Sequence, residues 1–592
     1  MLGKIIGIDE NQVKLKINLD LEKYPNLIGN HVLLEDTEKK FIGEIIDINE
    51  EIANINLQGE LINGNFVFGV TTKPSFGSVA KVVSREKIPL IISTEDYIEN
   101  EHLYLGESSI YPGVPINVDI NNFFANHFAI FGSTGSGKSC SVARMFQNLF
   151  NKNDAIPYKA SIFIFDAYGE YHNAFKNINE INPNISFKSL TTNTKFPEED
   201  ILKFPAWLLT VDDLALLLGA EKSSQLPLIE KTLKYVSIFA RDDVDVIKYK
   251  NDIIARALLD VLSSGKPSSQ IRDQMTSVLS TFNTTELNLE TPVYQPGYTR
   301  PLKQLFFIDQ NGKIREIEAV SSFFESFISE EKEMTLPDGT FKYSLLDIKD
   351  ALDFALISEG ILKSDKVFDE MNVLKVRLAT IVDGDYNKYF EFEEYISKED
   401  YIKNLLTASN HKKAQIINFN INYVDDRFAK SLTKIFSKLL FDYSKSLDER
   451  AVLPFHIILE EAHRYVQNDN DVNLLGYNIF DRITKEGRKY GVLLGLISQR
   501  PSELSETALS QCSNFLIFKM LHPKDIDYIK EIIPNITLDI VKKFKILQPG
   551  NCVAFGNGFK VPVLVKFDMP MPSPSSNSCD ISKNWFVIRQ NS

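Results

Sequence analysis

A glycine-rich segment near residue 135 has the composition and spacing of a phosphate-binding loop. Residues 132–139 read GSTGSGKS, which matches the pattern GxxxxGK(S/T) between an apolar run and a helical stretch. Its glycines let backbone N–H groups turn toward phosphate oxygens, and the following helix start adds a partial positive charge. Lys138 is expected to reach the β- and γ-phosphates, and Ser139 to hold Mg²⁺ through its hydroxyl. The predicted nucleotide-binding residues are Gly132, Ser133, Thr134, Gly135, Ser136, Gly137, Lys138, Ser139 and Cys140.

Two adjacent acids, Glu460 and Glu461, follow the apolar run 455–459. Neighbouring residues at a strand end point to opposite sides, so the two carboxylates can serve different tasks. Glu460 is predicted to join the Mg²⁺ shell, and Glu461 to orient and polarise an attacking water. The alternative is a solvated acidic helix start, where glutamates are also favoured. His463 is expected to pack or hydrogen-bond, whereas Asp166, at the end of another apolar run, fits either the metal shell or a helix cap.

A third apolar run, 492–497, ends near Gln499, whose amide is suited to contact a γ-phosphate or the attacking water. A turn-capping role is the alternative for this residue. Between two glycines just upstream stands Arg488, the predicted arginine finger, because a planar and permanently charged guanidinium matches phosphoryl oxygens in the transition state. A surface salt bridge is the alternative for Arg488, and Arg482 or Arg500 could take the finger role instead.

The elements around these motifs indicate an α/β core with a parallel sheet. Residues 127–131 and 162–165 read as buried strands, and residues 139–150 as the helix after the glycine-rich loop. The pattern resumes with strands at 415–419, 455–459 and 492–497, so alternating strands and helices build one sheet.

The amino-terminal region reads differently, as short strands at 13–21, 41–48, 53–61 and 66–70, with Asn63-Gly64 as a hairpin turn. Strands without intervening helices favour a small closed barrel, which leaves no exposed edge. Residues 176–400 read as mainly helical, with a helix ending near Gly265 and a capping box at Ser344 and Asp347. The predicted domains are a barrel at 1–95, the core in two parts at 96–175 and 401–562, a helical insertion at 176–400, and an extended segment at 563–592.

Composition limits the classes of partner and compartment. A length of 592 residues suggests three or four domains, and a net charge of −14 argues against wholesale wrapping of nucleic acid. Any contact with DNA should therefore lie on a local basic surface, such as a pore. Neither a signal peptide nor a membrane span is expected. The widely spaced cysteines predict no zinc site or disulfide framework and fit a reducing cytoplasm; they are Cys140, Cys512, Cys552 and Cys579.

The motifs GSTGSGKS, DAYGEY, PAWLL, EEAHRYV, EGRKYG and SQRPSEL occur in the order found in the HerA family, part of the HerA/FtsK superfamily. The chain resembles this family over nearly its whole length, including Gln548-Pro549-Gly550. The resemblance implies a RecA-like P-loop NTPase core, a hexameric ring with ATP and Mg²⁺ between subunits, a finger donated in trans, and double-stranded DNA in the central pore. The family's nucleotide-site positions fall on Lys138, Ser139, Glu460, Glu461, Arg488 and Gln499.

Two stretches depart from the family pattern. Asn126-His127 stands where relatives often have an arginine, and the loop 467–471 is acidic where a basic one is expected. The family's DNA-facing residues are therefore not carried over to this chain.

The leading hypothesis is an ATP-driven DNA translocase or helicase in the cytoplasm. Relatives of this type in bacteria pair with a nuclease or a sirtuin-like, NAD-consuming effector in defence against phage, so a separate effector protein is expected. The alternative is an ATP-regulated hexameric scaffold that activates such an effector, with DNA movement secondary. A secretion or conjugation ATPase is the third reading, and the expected lack of membrane segments weakens it.

Overall fold

The computed structural model describes residues 2–18, 27–94, 101–151, 155–195, 199–241, 243–329, 341–358, 365–533, 536, 538–575 and 581–585. Cys579 and residues 19–21 of the first predicted strand lie outside these ranges. None of the helices in the described ranges combines the length and apolar composition needed to cross a lipid bilayer.

The amino-terminal strands close into a six-stranded antiparallel barrel, as predicted. Its strands pair in the circular order β1-β7-β3-β4-β5-β2, and β6 extends from β5. Residues Val13, Leu15 and Ile17 alternate inward along one strand, which fills the barrel interior with apolar side chains. The strands are β1 (Gly3–Ile8), β2 (Gln12–Ile17), β3 (His31–Glu35), β4 (Lys40–Asn49), β5 (Ile52–Ile62), β6 (Asn65–Phe68) and β7 (Val79–Val82).

The hairpin between β5 and β6 turns where the sequence predicts it. Asn63 has φ 53° and Gly64 has φ 86°, so both central residues are left-handed. This conformation matches the twist of a two-residue hairpin and explains the Asn-Gly pair.

A twelve-stranded sheet forms the centre of the molecule, in the order β13-β12-β16-β11-β17-β18-β10-β19-β20-β21-β8-β9. Pairs from β13 to β19 are parallel, and pairs from β19 to β9 are antiparallel. The strands are β8 (His102–Ser108), β9 (Pro115–Asp119), β10 (His127–Phe131), β11 (Ile162–Asp166), β12 (Phe187–Thr191), β13 (Asp200–Ile201), β16 (Ile416–Asn420), β17 (Phe455–Leu459), β18 (Val492–Ser498), β19 (Cys512–Ile517), β20 (Asn551–Gly556) and β21 (Val563–Lys566).

Helices cover both faces of the parallel part of this sheet. In β11, Phe163 and Phe165 belong to the apolar cluster on one face, while Ile162 and Ile164 belong to the cluster on the other. Burial on both faces explains why β11 is apolar up to its last residue, Asp166. The helices outside the insertion are α1 (Ile88–Ile92), α2 (Ile120–Phe124), α3 (Lys138–Phe150), α4 (Tyr171–Phe175), α5 (Ile178–Ile181), α15 (Asp426–Ser446), α16 (Asp471–Leu475), α17 (Ile479–Glu486), α18 (Glu506–Ser510), α19 (Pro523–Ile532), α20 (Leu538–Phe544) and α21 (Ile581–Trp585).

A helical insertion leaves the sheet after β13 and returns at β16. It also holds the hairpin of β14 (Pro292–Gln295) and β15 (Tyr298–Pro301). The predicted capping box is present, because Ser344 N donates to Asp347 Oδ2 at 2.7 Å and Asp347 N donates to Ser344 Oγ at 3.2 Å. The helices are α6 (Val211–Leu218), α7 (Leu226–Phe239), α8 (Val244–Leu262), α9 (Ser268–Thr281), α10 (Leu302–Leu305), α11 (Ile317–Glu325), α12 (Leu345–Ser358), α13 (Asp365–Asp383) and α14 (Lys398–Leu405).

The fold is thus α/β, with a RecA-like P-loop core, an amino-terminal barrel and a helical insertion. Two boundaries differ from those predicted. Strand β12 lies within 176–400 yet pairs with β16 in the central sheet. Strand β21 lies beyond 562, in the segment predicted to be extended, and pairs with β20 and β8.

Strand order decides where the functional side chains can meet. Strand β18 lies between β10, which precedes the glycine-rich loop, and β17, which precedes the two glutamates. Because these strands are parallel, all three deliver their following residues to one edge of the sheet.

Candidate functional site

The glycine-rich loop wraps around the Lys138 side chain. Lys138 is the first residue of α3, and its Nζ donates to the carbonyl oxygens of Gly132 at 2.6 Å and Ser133 at 3.1 Å. Burial lowers the pKa of Lys138, and the nearby Glu461 and Glu460 oppose that shift. The lysine charge is therefore held inside the loop, beside the two strand-end glutamates.

Ser139 and Glu460 meet although 321 positions separate them in the chain. The Ser139 hydroxyl lies 3.4 Å from Glu460 Oε1, while Glu460 Oε2 is buried and has no hydrogen-bond partner among the described residues. Burial and then the neighbouring Asp166 raise the pKa of Glu460 well above its ordinary value. The structure brings together the two predicted metal ligands.

Asp166 caps the next helix, one of the two roles left open for it, and lies beside the predicted metal ligand Glu460. At the end of β11 it accepts hydrogen bonds from the backbone N–H groups of Glu170 at 3.0 Å and Tyr171 at 2.9 Å, which caps the start of α4. It also lies against Glu460, and burial raises the pKa of Asp166. Two carboxyl groups this close favour a shared proton or a bound cation.

Glu461 is held by side chains that follow β17 and β18. Gln499 Nε2 donates to Glu461 Oε1 at 2.5 Å, and Thr134 Oγ1 of the loop donates to Gln499 Oε1 at 2.6 Å. His463 Nδ1 lies 3.2 Å from Glu461 Oε2 and 3.1 Å from Ser498 Oγ, so this histidine has the hydrogen-bonding position expected of it.

The backbone of Glu461 is left-handed, with φ 48° and ψ 46°. A residue with a side chain adopts this conformation at some cost, and such residues concentrate at functional sites. The turn separates the Glu461 carboxylate from that of Glu460, which argues against a regular acidic helix start.

The residues present fit a Mg²⁺–nucleotide complex. Within the described ranges, no group of three or more acidic, histidine or cysteine side chains could hold a metal ion without further ligands. Mg²⁺ bound with a nucleotide needs only one or two protein oxygens, because phosphates and waters complete its shell. Ser139 Oγ and the unpartnered Glu460 oxygen supply that small donor set beside the loop.

The three candidate arginine fingers occupy different surroundings. Arg488 is exposed in a short turn before β18, so it lies about 20 Å from the glycine-rich loop along a seven-residue strand. Arg482 lies over the rings of Phe441 and Tyr477 at 5.7 and 5.2 Å. Arg500 follows Gln499 at the loop's own edge of the sheet and pairs with Glu503, 3.0 Å away. Arg488 therefore cannot reach the glycine-rich loop of its own chain.

The acidic residues of the loop 467–471 are paired with lysines in the structure. Asp469 and Asp471 both pair with Lys434 of α15 at 2.5 Å, and Lys430 adds a contact to Asp469 at 3.1 Å. Lys434 is buried, so these acids neutralise a lysine inside the fold. Residues 467–471 therefore present less free negative charge than their sequence suggests.

Asn126-His127, where the sequence differs from the family pattern, lies at the edge of the sheet opposite the glycine-rich loop. The side chain of His127 is buried and neutral there. Leu494 N donates to His127 Nδ1 at 2.9 Å. Burial lowers the pKa of His127 to about 4, so the ring is uncharged near neutrality. It supplies no basic contact to the nucleotide loop.

Two neighbours of the loop escaped prediction. Glu170, from the DAYGEY motif, lies close to Lys138 and Ser139. Gly550 N donates to the carbonyl oxygen of Ser136 at 2.9 Å, which places Gln548-Pro549-Gly550 directly against the loop. The motif and the family resemblance pointed to both segments, but neither indicated these contacts.

The fold and site define a P-loop ATPase with a RecA-like core. Residues 103–440, more than half of the chain, match the family described as "Helicase HerA, central domain". The chain belongs to the HerA family.

Relatives match the chain nearly end to end. It is 22% identical to the DNA double-strand break repair helicase HerA of Saccharolobus solfataricus over 99% of this chain and 96% of that protein. It is 24% identical to the protein of the same name from Sulfurisphaera tokodaii over 99% and 96%. Among solved structures, plasmid coupling protein TrwB with a non-hydrolysable ATP analogue is 11% identical over 82% of this chain and 93% of that chain, with a TM-score of 0.43. A score this low supports no conclusion about function.

Proposed function

We propose that the protein is a ring-shaped motor that hydrolyses ATP with Mg²⁺ to translocate or unwind double-stranded DNA. The observation that carries the proposal is the 3.4 Å approach of Ser139 to Glu460, which joins the phosphate loop to the strand-end acids. A phosphate loop without a nearby acid could bind nucleotide, but this arrangement can also promote its hydrolysis.

Each side chain then has a task that follows from its position. The Lys138 ammonium stabilises charge on the β- and γ-phosphates, while Ser139 and Glu460 would hold Mg²⁺, whose charge would offset that of the phosphate oxygens. Glu461 accepts a proton from, and orients, the attacking water. Gln499 fixes the Glu461 carboxylate and links it to Thr134 of the loop, so a change at the γ-phosphate can reach β18 and the segment after it.

ATP sites located between subunits would give Arg488 a role in hydrolysis. It lies at the amino edge of the sheet, whereas the site lies at the carboxyl edge, so as an arginine finger it would act in a neighbouring subunit. Contacts between two different faces repeat from subunit to subunit and form a ring when the rotation closes. We propose a hexamer, as the family resemblance implies.

The proposal that DNA is the substrate rests on the relatives, which are named DNA double-strand break repair helicases. The net charge of −14 restricts DNA contact to a local basic surface, for which the ring's pore is the natural place. A partner effector, either a nuclease or a sirtuin-like enzyme, a role in anti-phage defence and a cytoplasmic location complete the proposal.

The test is ATP hydrolysis measured with and without linear double-stranded DNA, with Lys138→Ala as the inactive control. DNA should stimulate the wild type several-fold and leave the variant at background. Hydrolysis that ignores every DNA but responds to a partner protein would reject the motor and favour the scaffold, which the acidic net charge also suits. Negative-stain images with ATP, with and without DNA, would count the subunits.

A further inference from the structure

Glu170 is a carboxylate of the site for which the roles above leave no task. It lies between β11 and α4, where its backbone N donates to Asp166 Oδ1 at 3.0 Å and its carbonyl oxygen accepts from Ser575 N at 2.9 Å. The preceding Gly169 is left-handed, with φ 72°. The backbone is thus fixed on both sides, and the side chain projects from a rigid base.

The Glu170 side chain faces the site. Burial is the largest influence on the pKa of Lys138, Glu460 and Cys140, and the nearby negative charge of Glu170 acts to raise the pKa of each. Glu170 Oε2 is buried and has no hydrogen-bond partner among the described residues. A buried carboxylate oxygen without a donor costs free energy, which indicates that a ligand supplies one.

Two protein donors near Glu170 have other acceptors. Ser139 has a single hydroxyl hydrogen, for which Glu460 Oε1, 3.4 Å away, competes with the Glu170 carboxylate. Lys138 donates to two loop carbonyl oxygens. Water bound to Mg²⁺ is a strong donor, and carboxylates commonly hold such waters in place.

The position of Glu170 separates it from the water-activating group. Glu461 bonds to Gln499 after β18, whereas Glu170 follows β11 on the other side of β17. We propose that Glu170 is a positioning residue that accepts hydrogen bonds from waters on the Mg²⁺ held by Ser139 and Glu460. This inference rests on the proposed function, because it requires Mg²⁺ with a nucleotide at this site.

The test measures binding of a fluorescent ATP analogue in EDTA and across a Mg²⁺ titration, so that hydrolysis is not the readout. Glu170→Gln should raise the Mg²⁺ concentration at half-maximal effect by roughly 10- to 100-fold. In EDTA, the affinity of Glu170→Gln for the ATP analogue should stay within about twofold of the wild-type value, because the substitution keeps the size of the side chain. Glu170→Asp keeps the charge, so its Mg²⁺ concentration at half-maximal effect should lie between those of the wild type and Glu170→Gln.

Glu180→Gln is the matched control, because Glu180 is an exposed glutamate in the nearby α5. It should titrate like the wild type. An unchanged Mg²⁺ midpoint in Glu170→Gln would overturn the inference, and so would an equal loss of affinity in EDTA, which indicates a disturbed loop. Wild-type protein that binds no analogue, or binds it without regard to Mg²⁺, would instead overturn the proposed function.

Discussion

The side-chain amide of Gln499 donates a 2.5 Å hydrogen bond to the carboxylate of Glu461, while its oxygen accepts from Thr134 in the phosphate loop. This relationship exists because β18 lies between the strands that precede the loop and the glutamates. One amide therefore ties Glu461, the acid proposed to activate water, to the glycine-rich loop.

Glu461→Gln should bind ATP with nearly wild-type affinity and hydrolyse it about 10² to 10⁴ times more slowly, because an amide cannot accept the proton from water. Gln499→Leu should lower kcat by roughly 10- to 100-fold through loss of orientation, with little change in nucleotide affinity. Steady-state hydrolysis and equilibrium binding measure the two effects. The double variant should be little slower than Glu461→Gln, since Gln499 acts through Glu461. Additive losses would show that Gln499 works independently, and Gln511→Leu, an exposed site, is the control.

Arg488→Ala should retain nucleotide and lose hydrolysis in the neighbouring subunit. Rings mixed from Arg488→Ala and Glu461→Gln subunits test this, because the first variant keeps its own acid and lacks its finger. An interface that combines an intact Glu461 with an intact Arg488 arises in such rings and should restore part of the activity. If the arginine acted in its own subunit, mixing would restore nothing. Lys489→Ala, an exposed neighbour, should behave like the wild type.

Gly137→Ala should lower the thermal midpoint of the nucleotide-free protein more than Gly135→Ala. Both glycines are left-handed, with φ 96° and 72°, so both substitutions carry similar backbone strain. An added Cβ at position 137 would lie 2.7 Å from Gly550 N, whereas one at position 135 meets no atom within 4 Å. Equal midpoints for the two variants would show that the contact between the loop and Gly550 is unimportant for stability.

Stability should fall in acid partly because of His127. Its folded pKa of about 4 lies below the ordinary value of 6.5, so its contribution is present above pH 6.5 and is lost as the pH falls through 4. The shift corresponds to at most about 3 kcal/mol. His127→Asn keeps an acceptor for Leu494 N without a titrating ring.

Thermal midpoints of wild type and variant should therefore converge as the pH is lowered from 7 to 4.5. His456 and Arg488, which also lower the pKa of His127, are present in both proteins. A gap between wild type and variant that stays constant with pH would contradict this assignment.

The central strands were predictable because their pattern is local. Residues 127–131 and 455–459 are short, mostly apolar runs, the first between Asn126 and Gly132 and the second between Pro454 and Glu460, and the structure begins and ends β10 and β17 at those positions. Once the strands are parallel, the residues after them share one edge. The meeting of Ser139 with Glu460 follows from that rule together with the strand order, in which only β18 lies between β10 and β17.

Other features depend on pairings that no local pattern carries. Strand β12, with the sequence FKSLT, is only partly apolar, and it is a strand because β16 lies beside it. Gly550 meets Ser136 across more than four hundred positions. The loop 467–471 looked acidic because the lysines that neutralise Asp469 and Asp471 belong to α15, an earlier helix.

The arrangement of the sheet also constrains how the chain can fold during synthesis. Strand β11 pairs on one side with β16 and on the other with β17, and β10 pairs with β18 and β19. A nascent chain ending near residue 400 holds β10 and β11 without any of these neighbours. Contacts between residues this distant in sequence form late, and apolar strand edges stay exposed until they do. The carboxyl-terminal third must therefore leave the ribosome before the catalytic half of the molecule can assemble.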